Sequence, residues 1–169
     1  MKKLMIAAVF GLSVAARAET GSAKVKATAE NSPIGGTVAF KDSEDGLSIV
    51  VRLTGVPAGD HGFHIHEFGS CEEAGKAAGG HYNPLKAPHG YAIKNGIKKA
   101  HAGDFGNITA DAEGKAMLEA VLPKVALARG KYTVGGRAVI LHEKADDFTQ
   151  PLGNAGGRIG CGIIAISAP

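Results

Sequence analysis

Residues 47–53 read Leu47-Ser48-Ile49-Val50-Val51-Arg52-Leu53, with every odd position apolar. Side chains two apart on a strand share a face, so this period marks a strand with one face buried. The rhythm recurs in Lys24-Val25-Lys26-Ala27-Thr28-Ala29, where polar residues alternate with small apolar ones. Strands are predicted over 23–29, 36–41, 47–53, 62–67, 103–109, 115–122, 137–142 and 162–167. Turn chemistry separates them at Asp45-Gly46, residues 55–59, Glu113-Gly114 and Arg129-Gly130. Eight short strands joined by such turns predict an all-β sandwich or barrel. The 25 glycines and the absence of tryptophan suit a turn-rich β protein better than a helical bundle.

Two stretches break the rhythm, 70–102 and 144–160. Loops longer than about 12–15 residues without structure of their own are uncommon and often functional.

The first residues belong to no strand. Met1-Lys2-Lys3 is basic, residues 4–16 are almost wholly apolar, and Ala16-Arg17-Ala18 is a small-x-small cleavage site. Residues 1–18 therefore read as a cleaved signal peptide, and residues 19–169 as one domain. The apolar run is too short for a membrane anchor, which needs about 20 residues. The full chain carries 19 basic and 16 acidic residues, and the leader holds Lys2, Lys3 and Arg17. The mature chain is thus formally neutral, which removes the charge basis for nucleic-acid binding. Two cysteines, Cys71 and Cys161, in an exported chain suggest a disulfide, with buried thiols or thiolate ligands as the alternatives.

The chemistry lies in the histidines. His64 and His66 sit two apart on a predicted strand, so both imidazoles face one side. His142 ends another predicted strand, and three imidazoles with an open position suit catalytic copper or zinc. His81, His89, His101 and Asp104 form a second set, three histidines and a carboxylate, which is a structural-zinc pattern. His61 has the opposite parity and is read as a core or supporting residue. Two other His-x-His folds fail here. A cupin needs a glutamate where Ser70 and Cys71 stand, and a metallo-β-lactamase needs Asp-His where Phe68 and Gly69 stand.

HGFHIHEFGSC (61–71), GGHYNP (79–84), HAGD (101–104), HEKADD (142–147) and GNAGGRIGCG (153–162) occur in this order. In these motifs the chain resembles the copper/zinc superoxide dismutases, and the short step from His66 to Cys71 and the longer step from His89 to His101 resemble the exported bacterial type. The resemblance implies an eight-stranded flattened Greek-key β-barrel, an immunoglobulin-like sandwich, with two long functional loops. It implies copper on His64, His66, His81 and His142, and zinc on His81, His89, His101 and Asp104, with His81 bridging the two. It implies a Cys71–Cys161 disulfide, an outer carboxylate at Asp146 and an anion-binding arginine at Arg158. The expected activity is dismutation of superoxide to oxygen and hydrogen peroxide by redox-cycling copper, with His81 supplying a proton. The export signal and the bacterial type imply a periplasmic address, and both monomers and homodimers are expected of such proteins. The alternative is a non-enzymatic copper/zinc binding or delivery protein on the same fold, and a third is a purely structural zinc protein. Eukaryotic members usually carry Lys-Thr where this chain has Pro151-Leu152, so Lys86, Lys94, Lys98 and Lys99 are the candidates for steering superoxide.

Overall fold

The computed structural model describes residues 18–167, so most of the predicted leader lies outside the described residues. Eight strands run as β1 (Thr20–Ala27), β2 (Gly35–Ser43), β3 (Gly46–Thr54), β4 (Gly59–His66), β5 (Asp104–Ala110), β6 (Ala116–Leu122), β7 (Ala138–His142) and β8 (Arg158–Ile166). They close into a barrel in the order β1-β2-β3-β6-β5-β4-β7-β8. All neighbours pair antiparallel, and the β3–β6 and β4–β7 pairings make the Greek-key crossings. Among the described residues no helix is long and apolar enough to cross a membrane.

Each predicted strand is present. The largest shift is in β8, which starts at Arg158 and so shortens the second loop. β1 begins earlier than read, because Gly21 and its polar neighbours pair with β2 and β8 despite offering little hydrophobic signal. The first long loop carries two short helical pieces, a 3-10 turn at Glu73–Ala78 and α1 at Ala92–Asn95.

Alternation builds the core. Leu47, Ile49, Val51 and Leu53 of β3 point inward with Val38 and Phe40 of β2, and all are buried. Burying a side chain of this kind contributes about 1.5–3 kcal/mol. Phe63 and Phe105 pack within this core with ring centroids 6.0 Å apart.

On β4 and β7 the alternation is hidden by cover on both faces. Residues 61–66 and all of β7 are buried. Phe63, Ile65, Val139 and Leu141 belong to the main core, whereas Ala138 and Ile140 pack with Ala78 and Cys161 on the outer side. His64, His66 and His142 share that outer parity. The barrel wall therefore presents them outward, and the long loops seal them from water.

Candidate metal centre

Two clusters of ligand atoms form between the wall and the loops. One joins His64, His66, His81 and His142; the other joins His81, His89, His101 and Asp104, and within each the ligand atoms lie within 4.8 Å of one another. All are buried, and His81 belongs to both. The His81 ring lies 4.1 Å from His64 and 5.3 Å from His89 by ring centroid.

Hydrogen bonds fix which nitrogen of each ring is free. His66 Nδ1–H donates to the Gly79 carbonyl at 3.0 Å, and His142 Nδ1–H to the Gly156 carbonyl at 3.3 Å. Their Nε2 atoms face each other at 3.4 Å. Asp146 takes His64 Nε2–H on Oδ2 at 2.8 Å and His89 Nε2–H on Oδ1 at 2.9 Å. That leaves Nδ1 of His64 and of His89 buried without a hydrogen bond, as is Nδ1 of His101. Carbonyl and carboxylate oxygens only accept, so each of these tautomers is set by its partner. An outer partner that orients the ring and fixes the free nitrogen is a common feature of histidine metal sites.

The second cluster converges on Asp104. Its carboxylate lies 2.7 Å from His81 Nδ1, 2.9 Å from His89 Nδ1 and 3.3 Å from His101 Nδ1. The His89 and His101 contacts are short yet lack hydrogen-bond alignment, so these atoms aim past one another. A zinc–ligand bond of about 2.0–2.1 Å gives a tetrahedral ligand spacing of about 3.3 Å, which such a cluster matches. Backbone N–H groups of Gly90 and His101 also donate to Asp104 Oδ2, at 2.9 and 3.1 Å, and hold it in place.

The electrostatics favour cation binding. Burial pushes His66 down to about 2, His142 to about 3 and His81 to about 4, so these imidazoles are neutral and keep a lone pair at neutral pH. Burial also opposes charge on His89, but the carboxylates of Asp104 and Asp146 outweigh it and raise the group to about 9. Burial would raise both carboxyls too, yet the histidines bonded to them hold Asp104 and Asp146 well below the usual carboxylate range. Neutral imidazoles in the first cluster, and an ionised carboxylate among orphaned ring nitrogens in the second, fit a metal ion in each, with His89 giving up its proton on binding.

A channel of about 320 Å³ opens onto the first cluster at His66, His81 and His142, with Arg158, Pro151 and Leu152 in its wall. Of the described residues lining it, Arg158 is the only ionisable one besides the histidines. Three carbonyls of the loop hold its guanidinium: Gly75, Lys76 and Gly79. Gly79 thereby accepts from both Arg158 and His66. The disulfide joins Cys71 to Cys161 across 90 residues and ties this loop to β8. Lys94, a steering candidate, lies instead in a separate groove with His89, Tyr91 and Phe148, and none of the four lysines lines the channel.

His61 stands outside both clusters, as its parity indicated. Its ring spans the carbonyls of His142, at 2.9 Å, and Pro57, at 2.8 Å. Other supports carried no sequence signal. Asn107 of β5 grips the Asp146 backbone at both ends, donating to its carbonyl at 2.9 Å and accepting its N–H at 2.7 Å. Gly153, at φ 73°, lies where any Cβ would strike the Asp146 carboxylate and the His89 ring. The GNAG motif flagged that glycine, but nothing in its spacing told what it makes room for.

A fold of this kind with two histidine clusters sharing one ring defines a class of binuclear metalloenzyme. A family model described as copper/zinc superoxide dismutase (SODC) matches residues 34–164. The chain is 40% identical over 136 residues to the extracellular superoxide dismutase [Cu-Zn] of Caenorhabditis elegans, covering 76% of this chain and 60% of that protein. It is 33% identical over 143 residues to superoxide dismutase [Cu-Zn] 5 of Dictyostelium discoideum, covering 79% of this chain and 91% of that one. Among solved structures, that of the clock protein EA4 is similar, with a TM-score of 0.76, 33% identity, and coverage of 95% of this chain and all of the other. The chain belongs to the copper/zinc superoxide dismutase family. It is an oxidoreductase of that family, with superoxide as substrate and copper and zinc as cofactors.

Proposed function

We propose that copper is held by His64, His66, His81 and His142, and zinc by His81, His89, His101 and Asp104, in an exported enzyme that dismutates superoxide. The sharing of His81 between two buried ligand clusters is the observation that carries this reading. Copper bound there would supply one-electron redox chemistry. The protein supplies the rest. Arg158 binds the anion from the channel wall, beside the edge of the first cluster that lines the channel. Its planar, permanently charged fork suits a small anion, and its three carbonyl contacts leave it little freedom to swing away. His81 faces Asp104 through Nδ1, so Nε2 is the atom that would hold copper or, when not bonded to it, a proton drawn from channel water for the second superoxide. Water in the channel provides the other proton of hydrogen peroxide. Asp146 keeps His64 and His89 in their ligating tautomers. Inhibition of superoxide-driven dye reduction by the copper- and zinc-loaded protein tests the reading. No inhibition with both metals bound would refute it, and would leave a binding or delivery role.

Replacing Arg158 by alanine is expected to lower kcat/KM by about 10- to 100-fold, the worth of a hydrogen bond to a charged group. The loss should shrink at high salt, and Arg158→Lys should recover part of it. An Arg158→Ala enzyme with native kcat/KM would show that the anion does not use this group.

The leader, cut after Ala18, sends the chain to the periplasm of a bacterial cell. The spacing from His66 to Cys71 and from His89 to His101 supports the bacterial type. The disulfide suits an oxidising compartment, and two relatives, from Caenorhabditis elegans and Brugia pahangi, are called extracellular. N-terminal sequencing of the mature protein after expression checks the cut site. Ile163 and Ile166 of β8 are exposed apolar side chains, set beside Gly69 and Gly135 respectively. This is the face that a second copy would cover in a homodimer. Sedimentation equilibrium should give a dimer that Ile163→Asp dissociates; a monomeric native protein would rule it out.

A further inference from the structure

The second long loop grips His89 in three ways. Asp146 accepts the ring N–H. The Phe148 ring stacks on the imidazole, 6.3 Å between centroids and tilted by 21°. The third contact is to the backbone. Gln150 Oε1 accepts the His89 N–H at 2.9 Å, while Gln150 Nε2 donates to the His89 carbonyl at 2.9 Å. One side-chain amide thus pairs with residue 89 as a neighbouring strand would.

The next two residues of the chain, Pro151 and Leu152, form part of the channel wall. Gln150 therefore stands between a histidine of the second cluster and the access route to the first. The segment around it is also knotted to itself. The Gly153 N–H returns to the Thr149 carbonyl at 2.8 Å, and the Asp147 N–H to the Gly153 carbonyl at 2.9 Å. Asn154 Nδ2 reaches Asp147 Oδ2 at 3.1 Å and Thr149 Oγ1 at 2.8 Å. These bonds tie residues 147–154 into one piece. Phe148 holds a φ of 60°, a costly conformation for a bulky residue that persists only when its surroundings fix it. In that conformation its N–H reaches Asp146 Oδ1 at 2.8 Å.

We propose that Gln150 is a positioning residue that couples zinc occupancy to the copper channel. This rests on the reading of His89 as a zinc ligand. Zinc fixes the His89 ring and with it the backbone of residue 89. Gln150 carries that order to the wall at Pro151 and Leu152. Asp146 offers a parallel link, through the Gly153 backbone packed against its carboxylate and through Asp147, so Gln150 is one of two paths. Gln150 is itself exposed, so the pairing serves the buried backbone of residue 89 and not the glutamine amide.

Hydrogen exchange at the amides of residues 152–156 tests this in the full-length, copper-loaded protein with and without zinc. In the native protein zinc should slow exchange by about tenfold, the scale of one to two net hydrogen bonds. In Gln150→Ala the zinc-dependent ratio should fall below about threefold, since one coupling path is cut. A general loosening would speed exchange in both states and leave the ratio unchanged. Gln150→Glu keeps the acceptor for the His89 N–H and loses the donor, so its ratio should lie between; it serves also if the alanine variant fails to fold. A native ratio in both variants would overturn the proposal while leaving the zinc reading intact. A native protein that takes up no zinc, or a His101→Ala variant that keeps its full zinc complement, would instead sink the zinc reading.

Discussion

Replacing Asp146 by alanine is expected to weaken copper and zinc binding together, each by about 10- to 100-fold, the usual cost of losing an outer partner of a metal ligand. The paired effect is the diagnostic part. Asp146 Oδ2 holds His64 and Oδ1 holds His89, so one carboxylate sets the tautomers of a histidine in each cluster. Without it, each ring is free to carry its proton on Nδ1, the atom now buried and unpartnered. Asp146→Asn should be less severe and one-sided, because an amide keeps one accepting oxygen and turns a donor toward the other ring. Competition titrations with chelators of known affinity read both metals. Loss of zinc alone would show that His64 keeps its tautomer by some other contact.

The largest stability effect is expected at the disulfide. Opening it in a Cys71→Ser, Cys161→Ser protein removes a cross-link over 90 residues. The chain-entropy relation puts such a loop at roughly 4–5 kcal/mol, an upper value. Stabilities of ordinary domains are about 5–15 kcal/mol, so the metal-free variant should be close to unfolding at body temperature. Denaturant unfolding of the metal-free proteins measures the difference. A loss under about 1 kcal/mol would mean that the unfolded chain already holds its ends together. Activity should fall as well, because Cys71 anchors the turn whose carbonyls fix Arg158. Metal loading should restore much of the fold but less of the rate.

The sequence carried the wall of the molecule well. Period-two alternation marked β1, β2 and β3, whose outer faces meet water, whereas β7 reads as a continuous apolar run. The histidine spacing located both clusters, because His-x-His on a strand forces a shared face. What alternation could not show was cover. β7 is buried on both sides, and only the folded loops reveal which of its faces meets the barrel and which meets His142. The supports were less legible still. Asn107, Gln150 and the Gly79 carbonyl act through single hydrogen bonds between residues far apart in the chain. No local pattern encodes such a partner. The same holds for steering. The lysines of the first loop lie outside the channel lining, and whether their field reaches the channel is read by the salt dependence of kcat/KM in lysine-neutralised variants.

The seam of the barrel is β1 against β8, the first strand of the described chain against its last. The wall therefore stays open until β8 has formed. Until then both β1 and β7 lack a neighbour, and Cys71 and the turn that receives Arg158 wait for partners carried on β8. The covalent lock, the anion site and the closed wall therefore form together, when β8 docks.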